Sequence, residues 1–68
     1  MKVQVNLLQS KEAKKINLGK DSIVFDLLKK LDIKPDTAIV MKKNIPISED
    51  EKIKDNDILT ILQVSSGG

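Results

Sequence analysis

Two residues of this chain have the type and position to do chemistry: Gly67 and Gly68, at the end of the sequence. Glycine has no Cβ, so a terminal Gly-Gly passes through a channel too narrow for other residues and presents its carboxylate to a partner. That carboxylate is ionised at neutral pH and is a poor electrophile. It reacts only after another protein activates it, for instance by adenylation. The pair therefore points to a protein that is acted upon. Few other groups compete with it. The chain has no cysteine and no histidine, so thiolate chemistry, disulfides and the usual zinc or copper ligands are excluded. Ser65 and Ser66 have no imidazole to activate them as nucleophiles. The run Glu49-Asp50-Glu51 lies on a polar segment and reads as solvated surface.

The rest of the chain must hold that tail. With 68 residues it is one domain. A chain this short buries roughly 60% of its unfolded surface, enough for one thin core and no deep catalytic cleft. Hydrophobic residues make up 40% and charged residues 32%, the balance of a globular protein. All twelve basic residues are lysines and the sole aromatic is Phe25. Lysine lacks the planar fork that reads guanine or clamps phosphate, and one ring is no platform for stacked bases. Nucleic acid is therefore not an expected partner, even at a net charge of +2. No apolar run reaches the length of a membrane span or a signal-peptide core. The expected location is the cytoplasm.

Residues 1–8 alternate, with Val3, Val5 and Leu7 on one face and Lys2, Gln4 and Asn6 on the other, which is the period of a half-buried strand. Residues 9–12 make a hairpin loop. Residues 13–18 form a second strand anchored by Ile16 and Leu18. Asp21 and Ser22 offer N-capping oxygens ahead of a helix. Val24, Leu27, Leu28 and Leu31 recur at helical spacing as one buried stripe. Lys29 and Lys30 suit the helix end, and Pro35 stops it. Phe25 lies beside the stripe and is expected partly over the helix–sheet seam.

Residues 37–42 read as a third strand, turned by Lys43-Asn44 into a short strand at Ile45-Pro46-Ile47. Its proline has no ladder donor, which assigns it to a sheet edge. Ile53 is a lone apolar anchor in a polar segment. Asp55-Asn56-Asp57 turns the chain into a last strand at residues 58–64. There Leu59 and Ile61 face in, and Ile58, Thr60 and Leu62 face out. Two hairpins flanking one helix, with the first and last strands parallel at the centre, make an α+β protein of the β-grasp type. That is the ubiquitin-like arrangement of a mixed four- to five-stranded sheet packed on one helix. The domain is expected over residues 1–64, with residues 65–68 as its Gly-Gly tail.

With these elements the chain resembles the small sulfur-carrier proteins of thiamine synthesis (ThiS) and molybdopterin synthesis (MoaD), and the small archaeal modifier proteins related to them. The resemblance runs end to end. It is carried by Leu27-Leu28-Lys29-Lys30-Leu31, similar to a Leu-Leu-x-x-Leu helix, by Asp55-Asn56-Asp57, similar to an Asp-Gly-Asp turn, and by Gly67-Gly68. Asn44 and Asn56 stand at turn positions where that family often has glycine. Ser65-Ser66 stand where more apolar residues or a third glycine would be expected.

The resemblance implies that an E1-like adenylyltransferase consumes ATP to adenylate Gly68. A cysteine desulfurase or other sulfur donor then converts it to a thiocarboxylate. A sulfur-accepting synthase uses that sulfur in thiamine or molybdopterin synthesis or in tRNA thiolation. The protein itself is then no enzyme, binds no cofactor, and is a monomer when free. The alternative fate is conjugation of Gly68 to substrate lysines. Gly67, Ser66 and Ser65 are the expected tail-recognition residues, and Leu8, Met41 and Leu62 the expected partner-binding patch on the open sheet face. The pathway, the choice between carrier and modifier, and the origin of the Gly68 terminus stay open at this point.

Overall fold

The computed structural model describes residues 1–64. Strands β1 (Lys2–Leu7) and β2 (Glu12–Asn17) form the first hairpin. Helix α1 (Val24–Lys30) follows, then a 3-10 turn (Pro35–Thr37), strands β3 (Ala38–Lys42) and β4 (Ile45–Ile47), and finally β5 (Ile58–Gln63). The sheet order is β2-β1-β5-β3-β4, with β1 and β5 parallel and every other pair antiparallel. This is the expected β-grasp with all five strands. Alternation assigned Val3, Val5, Leu59 and Ile61 correctly to the inner face; with Val40 of β3 they are buried beneath Val24, Leu27 and Leu28 of the helix. Leu18 and Ile53 close the core from outside the strands.

The turns survive without glycine. Lys43 and Asn44 both have positive φ, 53° and 65°, so the β3–β4 hairpin is closed by a two-residue turn of the primed kind that matches strand twist. Asn56 has φ 68°, and its N–H donates to the Lys2 carbonyl at 2.8 Å. Asp55 Oδ1 accepts the Lys2 N–H at 2.8 Å, and Asp57 Oδ2 accepts the Lys54 N–H at 2.8 Å and pairs with Lys42 Nζ at 3.3 Å. The Asp-Asn-Asp turn thus ties the start of β5 to β1 and β3.

Both helix ends differ from expectation. Neither Asp21 nor Ser22 caps the helix. Ser22 is buried and its Oγ donates to the Gly19 carbonyl at 2.6 Å. The boundary residue is Ile23, whose N–H donates to Asp26 Oδ2 at 3.0 Å. The free N–H groups of Val24 and Phe25 find the carbonyls of Glu51 and Glu49, both at 2.9 Å. Distant backbone has replaced a local side-chain cap. At the other end the helix stops before Pro35 has any influence. Asp32 takes φ 59°, its N–H donates to the Lys29 carbonyl, and the Ile33 N–H donates to the Leu28 carbonyl. That is a Schellman ending with aspartate in the position glycine usually holds. Leu31, expected in the stripe, packs half-buried just past the helix. Phe25 is 37% exposed, with Lys29 Nζ 5.6 Å from its ring centre, and it lines a shallow groove with Ile33 and Pro35.

Candidate functional site

Strand β5 runs up the middle of the sheet and delivers the tail. Its last residue, Gln63, pairs with Ala38 at the start of β3, and the Val64 N–H donates to the Thr37 carbonyl at 2.7 Å. The backbone is therefore held by the 3-10 turn at residue 64, and Val64 itself is exposed. Ser65, Ser66, Gly67 and Gly68, assigned to tail recognition and activation, lie outside the described residues.

The register places the expected body patch. On the open face Leu62 pairs with Ile39, and the Leu8 N–H donates to the Ile61 carbonyl at 3.1 Å, one step beyond the Leu7–Ile61 pairing. Leu8, Leu62 and Ile39 therefore form one apolar row across β1, β5 and β3. Leu8 is 48% exposed and Ile39 41%. Met41 sits one row away, opposite Thr60 and Pro46, diagonal to Leu62. The expected patch lacks Ile39, which alternation along β3 places on the open face. Only the β3–β5 register shows that it lies beside Leu62. The row crosses the end of the sheet from which the tail departs.

Among the described residues no three His, Cys, Asp or Glu side chains gather as a metal site, and no helix is long and apolar enough to cross a membrane.

The family model for small archaeal modifier protein 2 matches residues 1–65. The chain belongs to that family. Its members are non-enzymatic ubiquitin-like modifiers and sulfur carriers, and membership implies an E1-like activating partner. Among solved structures, the chain is similar to the ubiquitin of Caldiarchaeum subterraneum. The TM-score is 0.79 at 17% identity, covering 100% of this chain and 98% of that one. It is similar to SAMP1 from Haloferax volcanii, with TM-score 0.75 at 17% identity and 100% of both chains covered. It also matches a chain in the structure of ATBAG1 in complex with HSP70, with TM-score 0.79 at 15% identity over 97% of this chain and 41% of that one. At such identities the likeness is one of fold. No curated protein sequence matches the chain.

Proposed function

We propose that this protein is a ubiquitin-like modifier that works through the carboxylate of Gly68. An E1-like adenylyltransferase docks on the row Leu8–Leu62–Ile39, with Met41 at its margin, and takes Ser65, Ser66 and Gly67 through a narrow channel. A Gly68 carboxylate oxygen attacks the α-phosphorus of ATP and displaces pyrophosphate. In the acyl-adenylate the leaving group is AMP, so the carbonyl is now a good electrophile. The ε-amine of a substrate lysine attacks it, loses a proton and forms an isopeptide as AMP departs. The observation that carries this reading is the family match, which runs to residue 65 and so leads directly to Gly67-Gly68. ATP-dependent activation suits a cytoplasmic setting.

Sulfur transfer is the second fate and shares the first step. Here the persulfide of a cysteine desulfurase attacks the acyl-adenylate, and a further thiol reduces the acyl disulfide to a thiocarboxylate on Gly68. The carrier-like helix Leu27-Leu28-Lys29-Lys30-Leu31 and the Asp55-Asn56-Asp57 turn support it. The thiocarboxylate would then supply a synthase of thiamine, molybdopterin or tRNA-base thiolation.

The test is incubation with the E1-like partner and ATP, with and without a sulfur donor, followed by intact mass and a blot for lysine adducts. Adducts establish the modifier fate, and a mass gain of sulfur over oxygen at Gly68 establishes the carrier fate. Deleting Gly68 should abolish both. Adenylation that survives the deletion refutes the tail chemistry, and no activation of the intact chain leaves a plain interaction domain.

A further inference from the structure

The two edges of the sheet differ. Strand β4 has three residues, one of them Pro46, and the acidic run Glu49-Asp50-Glu51 follows it. Strand β2 has six residues, no proline, and no partner on its outer side among the described residues. The hydrogen-bond phase shows which of its groups are free. Met1 and Leu18 exchange bonds, each N–H donating to the other's carbonyl at 2.8 Å. Antiparallel strands alternate bonded and non-bonded pairs. The bonded pairs are then Val3–Ile16, Val5–Lys14 and Leu7–Glu12, in the register of this hairpin. Consistent with that phase, the Gln4 and Leu8 N–H groups donate away from β2, to the carbonyls of Asp57 and Ile61. The N–H and C=O groups of Ala13, Lys15 and Asn17 therefore point outward from β2. The Asn17 carbonyl, so placed, accepts from Lys30 Nζ at 2.8 Å.

The charge at this edge is mostly positive. Residues 1–20 hold five lysines against one acid, Glu12. Lys14 shares the helix side with half-buried Ile16, Lys15 lies on the open side, and Lys30 stands at the Asn17 end. We infer that the outer edge of β2 is a docking site for an extended acidic segment of a partner protein, added to the sheet as a further strand. Its backbone bonds to Ala13, Lys15 and Asn17. An apolar side chain on the helix side rests on Ile16, and carboxylates meet Lys14, Lys15 and Lys30. Lys30 leaves the Asn17 carbonyl for one of those carboxylates, which frees the carbonyl for the ladder. Lysines on an edge strand repel a second copy of the same edge. They admit a strand of opposite charge, so the same residues select the partner.

The test uses a short synthetic peptide alternating valine and aspartate, the same peptide N-methylated on alternate amides, and single-stranded oligothymidylate. Each is titrated into the full chain and followed by amide NMR shifts and hydrogen exchange. Expected is binding of the plain peptide with shifts and slowed exchange at Ala13, Lys15 and Asn17, and none for the N-methylated peptide. The Lys14→Glu/Lys15→Glu variant should bind about tenfold or more weakly while keeping its Tm, since both side chains are exposed. Equal binding of the N-methylated peptide would reduce the site to unspecific charge. Shifts centred on Leu8, Ile39 and Leu62, tighter binding of oligothymidylate, or no peptide binding would each overturn the proposal.

Discussion

Truncating Ile39 to alanine should weaken recognition by the activating enzyme more than it harms the fold. The substitution removes three carbons, worth about 2.4 kcal/mol on complete transfer from water at ~0.8 kcal/mol per carbon. Ile39 is 41% exposed in the free protein. A partner covering the row can gain only that remaining share, about 1 kcal/mol, or roughly a fivefold change in affinity. The share already buried, about 1.4 kcal/mol as an upper bound, is lost from folding and lowers Tm by about 6–11 °C. The assay is ATP–pyrophosphate exchange by the E1-like partner at varied concentrations of this protein. A body contact held equally in ground and transition states raises KM about fivefold and leaves kcat unchanged. Ile45→Ala is the control, because Ile45 is 64% exposed yet lies on β4, away from the row. If Ile45→Ala raises KM and Ile39→Ala does not, the row is not the docking surface. A fall in kcat at unchanged KM would place the effect on tail positioning instead.

Two further predictions concern the frame that carries the site. Asp32→Gly should stabilise the protein by about 1 kcal/mol, because it relieves a left-handed residue and removes a negative charge from the helix C-terminus. A thermal melt should rise by about 4–8 °C, and a fall would mean that the Schellman ending is not strained at aspartate. Asp57→Ala should cost about 1–2 kcal/mol, since the Lys54 N–H loses its acceptor. Asp57→Asn, which keeps an acceptor oxygen, should cost less. Equal losses in urea titrations would show that the charge pairing with Lys42, and not the turn bond, is what matters.

Much of this molecule could be read locally. Side chains alternate with period two along a strand and recur near every fourth residue along a helix, so Val3, Val5, Leu59, Ile61, Val24, Leu27 and Leu28 announce their burial in short windows. Asn44 and Asn56 signal their turns because asparagine tolerates the left-handed region. Gly67 and Gly68, on which the proposed chemistry rests, were read from the sequence alone and lie outside the described residues. What only the tertiary structure decided depends on backbone groups far apart in the chain. The helix begins at Val24, behind Ile23, with carbonyls of Glu51 and Glu49 reaching its first N–H groups, and no residue near position 22 encodes those distant partners. The row Leu8–Leu62–Ile39 exists through the pairing of three strands, and alternation gives each residue a face but not its neighbour across the sheet. The free groups of β2 likewise follow from the phase of the β1–β2 ladder. Local dihedral preference is written residue by residue, whereas lateral register is set by the joint packing of strands that meet only once the chain has folded.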